Sequence, residues 1–328
     1  MDDKGLSEAY DFAVQLGKDA GKMLLDAAWS RINGTEIDTG VDQKESSVDI
    51  VTKTDYAVEE FIRQAVATKF PHHSFLGEET YSAGDSRKYL VTSSPTWIVD
   101  PLDGTVNFTH LFPMFCVSIA FCINGYPVIG VINAPFMNQF FSSCKGRGSW
   151  LNESHRLPLM RSPVPPLPKD APSGCTFACE WGKDRRDDPN GNLARKVHSF
   201  ATMALERKGR GGTGGMVHGV RSLGSATLDL AYTAMGSIDI WWEGGCWEWD
   251  VAAGIAILEE AGGIVTTANP PPDPVTARIT KVGLGDRLYL AIRPAGNAEE
   301  ESGVDAQHRV VRQVWQRVEG LDYERPYR

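Results

Sequence analysis

Nowhere in the 328 residues does an uninterrupted apolar run approach the ~18–20 residues that a membrane span needs. The opening "MDDKGLSEAYDFAVQLGKDA" is acidic and amphipathic, unlike a signal peptide, and "ERPYR" at the other end matches no retention or lipidation signal. Basic residues do not predominate either: 33 Lys+Arg stand against 42 Asp+Glu, a formal charge of -9. The pI of about 5.3 argues against a nucleic-acid footprint or a basic membrane patch, so neither nucleic acid nor membrane is an expected partner. Cysteine is scarce: six, at 116, 122, 144, 175, 179 and 246, none with metal-ligand spacing. No zinc site is expected, and the scatter reads as reduced thiols in a cytoplasmic protein. In that setting the sequons at Asn33, Asn107 and Asn152 are chance matches.

What is present is core material. Apolar residues make up 42% and charged ones 23%, in a chain long enough for two closely packed halves. An apolar stripe from Ala9 to Ala27 predicts a helix over 7–29, and another from Ala57 to Val66 predicts a second helix ending before Pro71. Short strands follow in "SFLGEE", "TWIVD", "FCVSIAFCI", "YPVIGVINAP" and "QFFSSC". The proline-rich "RSPVPPLPKDAP" (161–172) is taken as the connection between an N-terminal half, 1–160, and a C-terminal half, 173–328. The second half alternates strand and helix, with helices expected near 191–207, 225–235, 250–261 and 305–318. Strands and helices in both halves imply a layered α/β or α+β architecture.

Four segments carry acids at places where elements meet: "DIVTKTD" ending at Asp55, "FLGEE" with Glu78 and Glu79, "WIVDPLDGTVNF" with Asp100 and Asp103, and "WEWDVAAGIAILEEAGG" with Asp250. Taken singly, Asp55 and Asp250 read as N-caps, Glu78 and Glu79 as a solvated turn, and Asp103-Gly104 as an ordinary turn. Asp100 resists this treatment. It ends a buried apolar run, and Pro101 removes a backbone donor that would have served it. The turn brings Asp103 back toward it, and two carboxylates so placed repel unless a cation intervenes. No lysine or arginine lies between residues 89 and 144, so a divalent metal is the expected counter-ion. Asp100, Asp103, Glu78 and Asp250, with the Leu102 carbonyl, form an all-oxygen donor set that suits Mg²⁺ and not zinc. Gly104-Thr105 opens a short helical or turn segment whose backbone N–H groups suit an anion. Metals beside an anion cradle point to phosphoryl chemistry. Hydrolysis of a phosphate monoester demands up to ~10²¹-fold acceleration, whereas a general base supplies only ~10²–10⁴-fold.

With these motifs the chain resembles the inositol monophosphatase family, the Mg²⁺-dependent, Li⁺-sensitive phosphatases, over about residues 8–295. "WIVDPLDGTVNF" and "WDVAAGIAILEEAGG" carry the resemblance, with "GEE" and "DIVTKTD" in the expected order; "GGCWEWD" and "HGVRSLGS" are similar to a fungal branch. The resemblance implies an α/β/α/β/α sandwich, commonly a homodimer, acting on a small-molecule phosphate monoester. It assigns Glu78, Asp100 and the Leu102 carbonyl to a first metal, and Asp100, Asp103 and Asp250 to a second. A third, weaker ion touches Glu78; Mn²⁺ substitutes for Mg²⁺ and Li⁺ inhibits. Thr105 with Asp55, beside Glu78, matches the group that orients and activates the attacking water. Gly104 and Thr105 match the phosphate-binding amides, and Lys44 a lysine near the active-site loop. Glu243, Asp250 and the backbone at Gly224, Ser225 and Ala226 match substrate contacts. The implied reaction is direct in-line attack by water, without a phosphoenzyme.

Subfamily is read from spacing. Only 20 residues (80–99) separate Glu79 from Asp100, the compact monophosphatase arrangement. Trp247 stands where animal inositol monophosphatases carry histidine, and Glu248 adds a charge beside the leaving-group pocket. Inositol monophosphate is therefore the favoured substrate, beside another small ester (of a quinate-pathway relative, histidinol phosphate or a nucleotide bisphosphate) and a non-catalytic homologue. "GRGGTGG" (209–215) lacks the Gly-Lys-Ser/Thr of a phosphate loop and reads as a flexible loop; His72-His73 read as a surface turn, and Glu259-Glu260 as structural.

Overall fold

Helix α1 (Asp3–Ile32) forms where the first apolar stripe lies, capped by the Asp2 carboxylate, which accepts from Gly5 N at 2.9 Å. The computed structural model describes residues 2–35, 41–46, 49–84, 88–160, 162–323 and 325. Parts of the polar stretch after α1, the first residue of the proline-rich connection and most of "ERPYR" lie outside them. After α1 come the hairpin strands β1 (Val41–Ser46) and β2 (Asp49–Thr52), helix α2 (Lys53–Lys69), strand β3 (Ser74–Gly77) and helix α3 (Glu78–Ser82). Strand β4 (Thr96–Asp103) leads into helix α4 (Thr105–Thr109), then β5 (Cys116–Ile123), β6 (Tyr126–Ala134), β7 (Gln139–Cys144), β8 (Ser149–Leu151) and β9 (His155–Arg156).

Strands β3 to β9 make one seven-stranded sheet in sequence order, antiparallel except for the β3–β4 pair. The second half contributes β10 (Thr176–Ala178), α5 (Asn192–Ala204), a single turn α6 (Gly209–Gly212), β11 (Gly219–Arg221), α7 (Ala226–Met235), β12 (Ile240–Gly244), α8 (Glu248–Ala261), β13 (Ile264–Thr266), β14 (Leu288–Ile292) and α9 (Gly303–Trp315). Its strands form a five-stranded sheet in the order β11-β10-β12-β14-β13.

Side-chain alternation sorts these elements into layers. Trp97, Val99, Val117, Ile119 and Phe121 face α1 and α2. Ile98 and Ala120, one residue out of phase, face α7 and α8 through Leu228, Leu230, Val251 and Ile255. Trp241 and Tyr289 of the second sheet join that same core, while Ile240, Trp242 and Leu290 turn outward onto α9. The result is the expected α/β/α/β/α sandwich. Helix α8 is apolar almost all round because both of its sides are covered, as a helix in a middle layer must be. No helix among the described residues is long and apolar enough to cross a membrane.

Some elements depart from their sequence reading. Glu78 and Glu79 do not sit in a turn; they open α3. Neither Asp55 nor Asp250 is an N-cap: the caps are Thr52 and Trp247, and each aspartate stands at the third helical position, its carboxylate reaching back to the cap N–H. Both assignments place a carboxylate at a helix N-terminus, which is why the sequence signal was the same.

Candidate active site: three carboxylates where β4 meets α8

Asp100 belongs to the face of β4 that also carries Ile98, so it points toward α7 and α8. Asp103, three residues on, would lie on the opposite face of a regular strand. A bulge prevents this: Asp100 pairs with Ser118 and Asp103 with Cys116, three residues on β4 opposing two on β5. Both acids thus meet the N-terminus of α8, where Asp250 stands. One oxygen from each of Asp100, Asp103 and Asp250 lies within 4.8 Å of the others.

The chain after Asp103 turns through Gly104, whose φ of 82° is left-handed. A Cβ there would approach the Met114 carbonyl to 2.6 Å, so both the conformation and the space require glycine. Helix α4 then sets the Thr105 hydroxyl 3.0 Å from the Leu102 carbonyl and 3.3 Å from Asp55 Oδ1. The other Asp55 oxygen accepts from the backbone N–H and hydroxyl of Thr52. Glu59, buried on α2, orients the "GEE" segment: its carboxylate accepts from Glu79 N and Thr80 N, both at 2.7 Å, and a Cβ on Gly77 would fall 2.4 Å from it.

Glu78 is not part of the three-carboxylate group. Lys44, brought in by the β1–β2 hairpin, donates to Glu78 at 2.9 Å and to Glu79 at 2.7 Å. The absence of basic residues between 89 and 144 therefore does not keep cations from the site's edge; one arrives from an earlier segment. Among the described residues none pairs with the three aspartates.

The electrostatic cost is plain. Burial above all, then Glu78 and the neighbouring aspartates, holds Asp100 well above the usual carboxylate range. Asp250 is raised by burial, Glu78 and Asp103. Burial pushes Asp103 up to about 7, although the Ser225 hydroxyl bonds to it and opposes the shift. Asp55 rises to about 6 and Glu79 to about 8, burial leading in both cases. Burial opposes the charge on Lys44, but Glu78 and Glu79 more than offset it and its pKa is raised. Carboxylates this close and this desolvated stay ionised together only with a cation among them. The donor set is entirely oxygen. The Cys116 thiol, 3.9 Å from Asp103, is held protonated by burial and by both aspartates and is no ligand. A hard divalent ion fits the three aspartates, with the Leu102 carbonyl and Glu78 beside them.

Asp250 opens onto a cleft of about 1040 Å³, lined also by Glu78, Gly224, Ser225, Ala226 and Glu243, while Asp100 and Asp103 lie buried behind it. The N-termini of α7 and α8 close one part of it, and a helix N-terminus favours an anion. Two of the expected substrate contacts have structural partners. The Ser225 hydroxyl bonds Asp103 and also caps α7 through Leu228 N at 3.1 Å. Glu243 is 2% exposed; Lys196, from α5, pairs with it, and the N–H groups of Glu180 and Gly244 donate to it at 2.7 and 3.0 Å. Nothing in the sequence marked Lys196 as the partner of Glu243: it lies on an otherwise ordinary amphipathic helix.

The remaining sequence features are structural. His73 accepts from Trp97 Nε1 at 3.1 Å, Glu260 accepts from Gly146 and Gly148, and Glu259 from Tyr126 and Lys281. The glycine-rich segment 209–215 does not line the cleft.

Known proteins resemble the chain along its length. A model of the inositol monophosphatase family matches residues 5–319. "Quinic acid degradation cluster protein x" of Neurospora crassa is 63% identical, covering 98% of this chain and 96% of its own. "Protein qutG" of Emericella nidulans is 64% identical, with 98% and 97% covered. "Inositol monophosphatase 2" of Saccharomyces cerevisiae is 38% identical, with 86% and 87% covered. The solved inositol monophosphatase of Anabaena superposes with a TM-score of 0.65 at 28% identity, covering 97% of this chain and 98% of that one.

Proposed function

The chain belongs to the inositol monophosphatase family, and from that premise we propose that it is a Mg²⁺-dependent phosphatase that releases phosphate from a small monoester, with inositol monophosphate the favoured substrate. One observation carries the reading: three carboxylates with oxygens mutually within 4.8 Å, at the N-terminus of a buried helix, with Asp250 opening onto a cleft. Divalent ions held by Asp100, Asp103 and Asp250 would supply Lewis acidity, lowering the pKa of water and stabilising charge on the attacking and leaving oxygens.

The chain's own residues do the rest. The Thr105 hydroxyl has one hydrogen and two acceptors in reach, the Leu102 carbonyl and Asp55. Donating to Asp55 leaves its lone pairs free to accept a hydrogen bond from water; as water gives up its proton to Thr105 Oγ, the Thr105 proton passes to Asp55 Oδ1, so Thr105 orients the nucleophile and the Asp55 carboxylate ends neutral. Asp55, with a pKa near 6, is mostly ionised at neutral pH. The backbone N–H groups after Gly104 and at the start of α7 offer the phosphate oxygens donors. The homodimer implied by the resemblance belongs to the same proposal, and sedimentation in solution reads it.

A second reading has its own support: the fungal relatives of higher identity are named for quinic acid degradation or as qutG. On that reading the ester is the phosphate of another cyclic polyol. Phosphate release from inositol 1-phosphate, histidinol phosphate, sugar phosphates and adenosine 3′,5′-bisphosphate, with Mg²⁺ and with EDTA, separates the cases. Mg²⁺-dependent release on at least one ester, abolished in Asp250→Asn, is expected. Silence on every ester would favour the non-catalytic homologue.

A further inference from the structure

The span matched by the family model ends at residue 319, and the reaction described above uses nothing beyond it. The segment that follows is nonetheless built into the fold. Asn269 bonds the backbone of Leu321 in both directions at 2.8 Å, and Asn192 does the same for Asp322 at 2.7 Å. Leu321 and Tyr323 are buried against the end of β12. A Cβ on Gly244 would come 2.8 Å from Leu321, and one on Gly245 2.9 Å from Tyr323. The chain then reaches the N-terminus of α8, where Arg325 enters.

Arg325 is charged, yet its side chain is only 1% exposed. Its two terminal nitrogens go to different helices. Nη2 pairs with Glu248, the buried first residue of α8. Nη1 donates to the Tyr81 hydroxyl of α3 at 3.2 Å. The guanidinium lies over Trp247, 4.9 Å from the ring centroid, and over Tyr89 at 5.4 Å. The Tyr81 ring packs on Trp247 and Trp249, with centroids 5.8 and 5.2 Å away. Trp247 and Glu248, the departures from the animal enzymes that the sequence showed, thus form the socket of an arginine. The charge expected beside the leaving-group pocket is met by Arg325 instead.

Each of the two helices so joined carries an expected metal ligand. Glu78 opens α3, three residues before Tyr81, and Asp250 stands two residues after Glu248. Helix α3 has five residues, whereas helices shorter than ~12–15 residues are marginal on their own. Its direction must therefore come from side-chain contacts. Glu59 fixes its start to α2 through Glu79 N and Thr80 N; Tyr81 and Arg325 tie it to α8. A planar guanidinium holds two acceptors at a set separation and angle, which a single ammonium does not.

We infer that Arg325 is a positioning residue that sets Glu78 against Asp250, the segment 321–325 acting as a strap between α3 and α8. The inference rests on the metal-site reading, and its test needs no turnover: calorimetric titration with Mn²⁺, beside urea unfolding in EDTA. Arg325→Met should weaken Mn²⁺ binding by roughly 10–100-fold, the usual effect of losing a group that orients a ligand. It should also lower the urea midpoint, since Glu248 is left buried without its partner. The double variant Arg325→Met/Glu248→Gln removes the stranded charge; it should recover the midpoint and leave Mn²⁺ binding weak. Tyr81→Phe keeps the ring and the Arg325–Glu248 pair but cuts the tie to α3. It should weaken Mn²⁺ binding several-fold in the native background and add nothing to Glu78→Gln. Mn²⁺ affinity that recovers together with stability in the double variant overturns the inference, making Arg325 a structural residue only. Native Mn²⁺ affinity in both Arg325→Met and Tyr81→Phe overturns it as well, and either result leaves the metal site standing. Absence of Mn²⁺ binding by the native chain removes the metal-site reading itself, and the strap's role with it.

Discussion

The hydroxyl of Thr105 stands 3.3 Å from a carboxylate oxygen of Asp55, a residue 50 positions earlier on a different helix. The opposite oxygen of Asp55 is held by Thr52, so the carboxylate cannot turn away without losing its bonds to the N-cap. The pair is therefore fixed by two helix starts, those of α2 and α4, which converge at the end of β4.

Thr105→Val keeps the shape and removes the hydroxyl. We expect kcat to fall by ~10²–10⁴-fold, the range of a positioned proton acceptor, with the Mg²⁺ concentration for half-maximal activity unchanged. A loss confined to KM, or activity close to the native level, would remove the pair from proton transfer.

Ser225 has two bonds from one side chain, to Asp103 and to Leu228 N. Ser225→Ala should cost about 0.5–2 kcal/mol of stability in EDTA, the usual range for a lost N-cap. It should also weaken metal binding by roughly 10–100-fold, as loss of a group orienting a ligand does. Urea unfolding and calorimetric titration with Mn²⁺ read the two effects separately. Unchanged metal affinity would mean that Asp103 needs no such support.

Lys196 and Glu243 are 0% and 2% exposed at their side chains. Lys196→Met strands a buried carboxylate and should destabilise by about 3–5 kcal/mol. Adding Glu243→Gln, which keeps an acceptor for Glu180 N and Gly244 N, should recover much of that loss in urea unfolding. If the double variant is no more stable than the single one, the pair's charge is not what makes Lys196 necessary.

Metal and pH are linked through the three aspartates. Asp103 is raised to about 7, and Asp100 and Asp250 stand above their ordinary value, chiefly through burial. The native state thus holds these protons more tightly than the unfolded chain, where aspartate titrates near ~3.9. Their contribution to stability is greatest below that value and is lost as pH rises through the native pKa values. A divalent ion replaces the protons, so the gain in Tm on adding Mg²⁺ should widen between about pH 5 and about pH 8. Thermal unfolding with Mg²⁺ and with EDTA across that range checks it; a gap independent of pH would show that the ion does not displace these protons.

Much of this site was legible in sequence because its acids sit at element ends, where caps and turns leave local signatures. Asp100, Asp103, Asp250 and Asp55 fall in that class, with Thr105 beside them; stripes and alternation implied only a layered α/β or α+β chain, and the five-layer order was implied by the family resemblance. The bulge at 100–103 was not legible: it depends on how β5 registers against β4, which no local pattern specifies. Lys44 and Ser225 were expected near the site through the family resemblance alone; their bonds to Glu78 and Asp103, like that of Lys196 to Glu243, join distant segments and left no local mark. Glu59 left a trace in Gly77, whose missing Cβ admits its carboxylate.

Anomalous diffraction from a crystal soaked in Mn²⁺ tests the central claim most directly. The account predicts a peak bonded at about 2.0–2.2 Å to oxygens of Asp100, Asp103 and Asp250, and a further peak near Glu78 and the Leu102 carbonyl. Density showing the three carboxylates protonated and bonded to one another, with no peak among them at saturating Mn²⁺, would contradict it.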